Sequence, residues 1–141
     1  MITLGKVNKL TLEASGYSTQ DCRSEWDDFL MIDIKYYSGK EIAFQYSFPC
    51  IMAKELADLP GEIREFMSSE EDKIIISFLE PNIVFTFEKY DEGKIRVTAE
   101  IFMTSYKDGN TIIKKQVFEE KDFEKFIGTL ERDSKKFPPR F

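Results

Sequence analysis

The side chains most able to do chemistry in this sequence are carboxylates. Asp21, Glu25, Asp27 and Asp28 crowd around Trp26, the single tryptophan. Such a group can hold a hard cation such as Ca²⁺ or Mg²⁺ through oxygen ligands. The spacing lacks the glycine and the regular ligand periodicity of a calcium loop, so a solvated loop leading into a strand is the stronger reading. A third reading makes Trp26 an exposed anchor rimmed by Asp27 and Asp28, a device that protein interfaces use; a core position at the start of a strand suits it equally. Glu80 with Glu100, or Glu88 with Glu100, could form the acid–base pair of a glycosidase, but glutamates alternating on the wet face of a strand are far commoner. Cys50 follows Pro49 at a strand-to-helix junction, where a thiol pKa can fall. With no base to work with it, buried packing is the better reading. Glu62, Glu65, Glu70, Glu71 and Asp72 form an acidic run whose ordinary meaning is a solvated face. It gains weight only against a basic partner.

Composition narrows these options. The 141 residues suit one domain, 1–141, with room for a sizeable core. Hydrophobic residues at 42% and charged residues at 33% describe a globular chain, and 13 phenylalanines require a core or a sheet face to hold them. A net charge of −6 argues against direct contact with nucleic acid and favours a basic partner. There is no histidine, which removes the usual general base and the His-based metal sites. Cys22 and Cys50 have no metal-ligand spacing and read as reduced thiols. No cofactor, no metal and no catalysis are expected. The N-terminal residues do not form a secretory h-region, and no run approaches the roughly 20 apolar residues of a membrane helix, so a cytoplasmic protein is expected.

The elements that must position these side chains follow from periodicity. Residues 2–14 alternate in part, with Leu10, Leu12 and Ala14 on one side, and predict a first strand; 16–25 predicts a loop. Over 29–37, Leu30, Ile32, Ile34 and Tyr36 alternate with Met31, Asp33, Lys35 and Tyr37. After a turn at Ser38-Gly39-Lys40, residues 41–48 alternate again with Ile42, Phe44, Tyr46 and Phe48 inward, and Pro49 closes that strand. Leu56, Leu59, Ile63 and Phe66 then define one helical face, kinked or split at Pro60-Gly61. Two strands, 73–79 and 83–90, reverse at Glu80-Pro81-Asn82 and read as the centre of the sheet; Glu80 and Asn82 are expected to hold the bend by side-chain to backbone hydrogen bonds. A turn at Asp91-Glu92-Gly93 precedes a long strand, 94–106. Lys107-Asp108-Gly109-Asn110 is the strongest hairpin signal, followed by a strand over 111–118. A last helix over 120–136 carries the stripe Phe123, Phe126, Ile127 and Leu130, extended by Phe137. The fold class is α+β: a curved, mostly antiparallel sheet of about seven strands in the order β-β-β-α-β-β-β-β-α, with two helices on one face.

Several segments together resemble a known family. Phe29-Leu30-Met31-Ile32-Asp33-Ile34 follows a tryptophan and acids. Phe48-Pro49-Cys50-Ile51 leads into a helix carrying Glu55-Leu56-Ala57-Asp58-Leu59. Ser77-Phe78-Leu79-Glu80-Pro81-Asn82-Ile83-Val84-Phe85 follows, and the chain closes on Phe137-Pro138-Pro139-Arg140. In order and spacing this resembles the WapI-type immunity proteins, antitoxins of the wall-associated, Rhs-like polymorphic toxins of bacteria. The resemblance implies neutralisation by binding: the toxin's C-terminal domain, in that family a nuclease acting on tRNA, is held inactive. An acidic surface suits a groove built for RNA phosphates. On this reading Trp26, Asp27, Asp28, Glu62, Glu65, Glu70, Glu71 and Asp72 are the candidate contact residues for a basic toxin domain. The oligomeric state is open. The competing reading is a small-molecule-binding sheet domain whose Phe and Tyr rings line an apolar pocket.

Overall fold

The computed structural model describes residues 1–102 and 111–141. The hairpin signal Lys107-Asp108-Gly109-Asn110 and the end of the expected strand 94–106 lie outside the described residues. Four strands come first: β1 (Ile2–Leu4), β2 (Leu10–Tyr17), β3 (Phe29–Ser38) and β4 (Glu41–Met52). The helix α1 (Ala53–Ser68) follows, then β5 (Lys73–Ser77), β6 (Ile83–Tyr90), β7 (Lys94–Phe102) and β8 (Thr111–Phe118), and finally α2 (Glu120–Lys136). Every strand pairs antiparallel with its sequence neighbour inside its own sheet. The α+β class with two helices is as expected, but the expected single sheet is two four-stranded sheets, β1-β2-β3-β4 and β5-β6-β7-β8.

The seam of this division lies between β1 and β8. What read as one strand over 2–14 is a hairpin, with Ile2 opposite Leu12 and Leu4 opposite Leu10. Gly5 turns the chain out of β1 at φ +88°, a left-handed conformation that glycine adopts without strain. A Cβ at Gly5 would also run into the Lys114 side chain. So β1 stops after three residues beside β8. There the Gly5 N–H donates to the Gln116 side-chain oxygen at 2.8 Å, a side-chain bridge across the seam between the sheets.

Other boundaries moved for equally physical reasons. β2 runs on to Tyr17, through a bulge at Ala14–Gly16, so the expected loop over 16–25 begins later. Pro49 does not end its strand. β4 is an edge strand, and Pro49 sits in it at a shift of register opposite Met31, where a missing N–H is tolerated. α1 is one helix through Pro60, which is buried in its middle. β5 is an edge strand of the second sheet, so the pair joined through Glu80-Pro81-Asn82 is not central.

One hydrophobic cluster spans both sheets and both helices. β6 alternates cleanly, with Ile83, Phe85 and Phe87 buried, and β7 buries Ile95, Val97, Ala99 and Ile101 with Thr98 buried between them as well. The stripe of α2 lies on this face. Phe123 and Phe126 meet the Phe87 ring with centroids 6.1 and 6.3 Å apart, and Phe118 closes the group at 5.4 Å from Phe126. Edge-to-face ring pairs of this kind contribute roughly 1 kcal/mol each beyond the area they bury. α1 meets the first sheet through Leu56 and Leu59, both buried.

Candidate partner-binding site

The acidic residues that follow Pro60-Gly61 are brought together by the turn between α1 and β5. The stripe Leu56, Leu59, Ile63 and Phe66 faces the core, which leaves Glu62 and Glu65 on the solvent side of α1. At the helix end the Ser69 hydroxyl donates to the Phe66 carbonyl at 2.7 Å and accepts the Glu71 N–H at 3.2 Å. This reversal sets Glu71 and Ile74 beside the last turns of α1. Glu62, Glu65, Phe66, Ser69, Glu71 and Ile74 together line an open cleft of about 250 Å³. Its apolar part is Phe66 and Ile74, and its rim is carboxylate. Lys89 lies beneath, its Nζ 4.9 Å from the Phe66 ring centroid and donating to the Ser69 carbonyl.

The carboxylates around this cleft outnumber the one cation beneath it, Lys89. Partial burial, then the negative charges of Asp58, Glu55 and Glu65, push the Glu62 carboxyl above its ordinary pKa. Among the described residues, none of Glu62, Glu65, Glu70, Glu71 and Asp72 forms an ion pair. Glu70 and Asp72 are exposed on the connection but do not line the cleft. The arrangement is one that a cation relieves, because unneutralised like charges lower their mutual energy when a positive group arrives.

The second group of candidates divides. Glu25, Trp26 and Asp27 form a short 3-10 turn, and Trp26 is 62% exposed, so its core reading gives way to the surface one. Lys54 approaches Glu25 at 3.8 Å. Asp28, by contrast, is 2% exposed, and its carboxylate is committed. It accepts the Arg140 backbone N–H at 2.9 Å and Arg140 Nε at 2.7 Å. A contact between Asp28 and a partner would have to break this pair, so Asp28 leaves the candidate face.

Arg140 is therefore the centre of a clamp that sequence reasoning did not find. Its Nη1 donates to the Thr19 carbonyl at 3.0 Å, and its guanidinium lies 3.9 Å over the Tyr17 ring. Tyr17 donates its hydroxyl to the Pro138 carbonyl at 2.6 Å and packs edge-on against Phe137. Burial works against the Arg140 charge, but the hydrogen bond and the attraction of Asp28 outweigh it and raise its pKa. The only sequence signal was the Phe-Pro-Pro-Arg ending; its partner stands 112 residues away.

The remaining candidates are placed as follows. Asn82 donates its side-chain amide to the Phe102 carbonyl at 3.3 Å, which ties the bend to β7. Glu80 is exposed beside it. Glu55 does more than either: one oxygen accepts the Met52 N–H at the start of α1 at 2.9 Å, the other the Leu79 N–H at 2.7 Å. Glu88 is held by Arg96 at 2.9 Å, and that hydrogen bond lowers its pKa. Cys22 and Cys50 are both free. Cys50 is fully buried, and desolvation with the charges of Glu55 and Glu80 pushes its thiol up to about 12, the opposite of activation. Among the described residues no cluster of three His, Cys, Asp or Glu could hold a metal ion. No helix there is long and apolar enough to cross a membrane. The crevice between the helices and the first sheet, lined by Leu12, Ile32, Leu56, Phe85 and Leu130, has about 30 Å³, the volume of one water molecule.

The family model described as "Immunity protein WapI-like family" matches residues 1–138. The chain belongs to the WapI-like immunity protein family. No curated protein and no solved structure gives a significant match. The match covers nearly the whole WapI-like chain, including Tyr17, Asp28, Phe137 and every residue of the acidic cleft. Arg140 lies beyond its last matched residue. A role in immunity implies a toxin partner, so the informative surfaces of a WapI-like protein are those its own fold leaves unpaired.

Proposed function

We propose that this chain is a cytoplasmic immunity protein that neutralises a cognate toxin domain by binding it, without catalysis of its own. Membership of the WapI-like family over residues 1–138 carries the reading. The partner is a basic C-terminal toxin domain, a nuclease whose phosphate-binding groove the acidic cleft occupies. Glu62, Glu65 and Glu71, with Glu70 and Asp72 beside them, supply the charge, and Phe66 with Ile74 supplies the apolar contact. Trp26, Asp27 and Glu25 form a second exposed patch for the same partner. Support for the basic partner comes from the net charge of −6 and from the carboxylates left without partners around one cleft. The small-molecule reading, an apolar pocket lined by Phe and Tyr rings, lacks support of this kind: the core crevice has about 30 Å³, and the cleft of about 250 Å³ is rimmed by carboxylates with Phe66 as its one ring.

The test is co-expression. The toxin domain encoded beside this gene is induced in a bacterial host with and without this chain. The expected outcome is growth rescue, a one-to-one complex on purification, and loss of RNA cleavage by the complexed toxin. Reversing Glu62, Glu65, Glu70 and Glu71 to lysine is expected to weaken the complex at least about 100-fold, as the loss of several close charge contacts implies. Rescue by the reversed protein with unchanged affinity would move the contact away from the cleft. Toxicity with no rescue would sink the immunity reading for that pair.

A further inference from the structure

The edges of the two sheets are guarded very unequally. An open edge presents unpaired N–H and C=O groups, and proteins blunt it with short strands, lysines or a covering element. β5, the edge of the second sheet, has five residues and begins at Lys73. β1 has three residues and lies beside β8. β4 has twelve, and Glu41 at its start is its only charged residue. Tyr46 is 43% exposed and Ile42 48%. An edge this long, with a single charge at its start, is one that another strand can pair.

The side chains of β4 are aromatic along one face. Phe44, Tyr46 and Phe48 stand opposite Tyr36, Ile34 and Ile32, so the three rings share one face of β4. They form a ladder, with centroids 6.2 Å apart from Phe44 to Tyr46 and 5.2 Å from Tyr46 to Phe48. The Tyr37 N–H bonds the Lys9 carbonyl on the β2 side. By alternation Tyr36 and Ile34 turn their backbone groups to β4, and on β4 it is Gln45 and Ser47 that turn theirs to the open edge.

We propose that β4 pairs antiparallel with β4 of a second copy of this chain, about a two-fold axis at Tyr46, joining the two first sheets into one. An isologous contact must be self-complementary, and this one is. Gln45 and Ser47 exchange backbone hydrogen bonds with the second copy's Ser47 and Gln45. Tyr46 faces its own equivalent in the closer, non-hydrogen-bonded pairing, and Phe44 faces Phe48, so the six rings make one continuous layer. Charge is complementary too. The only charged residue of the strand, Glu41, lies opposite Ile51 of the second copy and not opposite its own equivalent. Lys40 lies opposite Met52 of the second copy, whose N–H is held on the open-edge side by the Glu55 carboxylate at 2.9 Å, so a lysine meets an acid at both ends of the pairing. Pro49, without an N–H, falls outside the central hydrogen-bonded pairs.

The test is sedimentation equilibrium of the full chain alone, with two variants. The wild-type chain is expected to sediment as a dimer. Tyr46→Lys, a substitution at an exposed edge position, is expected to be monomeric with an unchanged circular dichroism spectrum. Tyr46→Cys in a Cys22→Ser background is expected to form a disulfide-linked dimer under mild oxidation. Ile75→Cys in the same background, a still more exposed position on β5, is expected not to. Lys40→Glu is expected to weaken the dimer several-fold. A chain monomeric at all concentrations overturns the proposal, even if the toxin were then found on this edge. So does a dimer that survives Tyr46→Lys and fails to cross-link through the thiol introduced at position 46.

Discussion

Asp28 and Glu62 are both carboxylates in acidic stretches, and the fold treats them in opposite ways. Asp28 is buried, accepts two hydrogen bonds from Arg140 and sits beside a ring whose face holds the same guanidinium. Glu62 stands on a helix among Asp58, Glu55 and Glu65, with its pKa raised by partial burial and by their charge. The first arrangement satisfies its charge within the chain. The second leaves it for something else. A charge neutralised internally stabilises the fold and is silent toward partners. A cluster of unneutralised charges contributes nothing to stability, or costs a little, and shapes the field a partner meets. For a member of an immunity protein family, the second kind of region is where contact residues for a partner are to be sought.

This contrast can be broken by experiment. The largest effect is expected from Arg140→Ala, which leaves the buried Asp28 carboxylate with only the backbone N–H of position 140 and no neutralising charge, and should cost about 3 kcal/mol in urea unfolding. The double variant Asp28→Ala, Arg140→Ala should recover part of that loss. If Arg140→Ala cost nothing, the clamp would be no more structural than the cleft. Tyr17→Phe removes only the neutral bond to the Pro138 carbonyl and should cost about 1 kcal/mol by the same measurement. Reversing Glu62, Glu65, Glu70 and Glu71 together should shift stability by no more than about 1 kcal/mol, since exposed charges contribute little to the fold. A large destabilisation there would show that the cleft is structural after all.

The smallest and most diagnostic effect is one of pH. The Glu62 pKa is raised on folding, so the stability linked to it is present below its unfolded pKa and is lost as pH rises through its folded value. Glu62→Gln removes that loss. The variant should match the wild type near about pH 3, where the carboxyl is protonated, and melt slightly higher at neutral pH, by up to about 0.5 kcal/mol. Bound toxin should reverse the order, because the ionised form is then the favoured one.

Much of this was legible in the chain. Period-two alternation located β3 and most of β4, and the stripes Leu56, Leu59, Ile63, Phe66 and Phe123, Phe126, Ile127, Leu130 located both helices, because burial of one face writes a local repeat into the sequence. The acidic run was visible as well, since its members are neighbours. The split into two sheets was not. It depends on Gly5 leaving β1 and on Gln116 reaching back to it, a contact between residues 111 apart. Nor did Pro49 announce that it would lie within a strand, because that depends on β4 having an open edge.

What the sequence determined alone was the α+β class, the helical faces, the acidic surplus and the segments that carry the family resemblance. All are properties of composition or of short-range periodicity. What only the tertiary structure decided was which charges would be used up. Asp27 and Asp28 are adjacent in the chain and alike in chemistry, yet one is exposed and the other lies beneath Arg140. The energy that separates them comes from desolvation and from a partner brought near by the packing of the whole chain, and neither is written in the residues alongside.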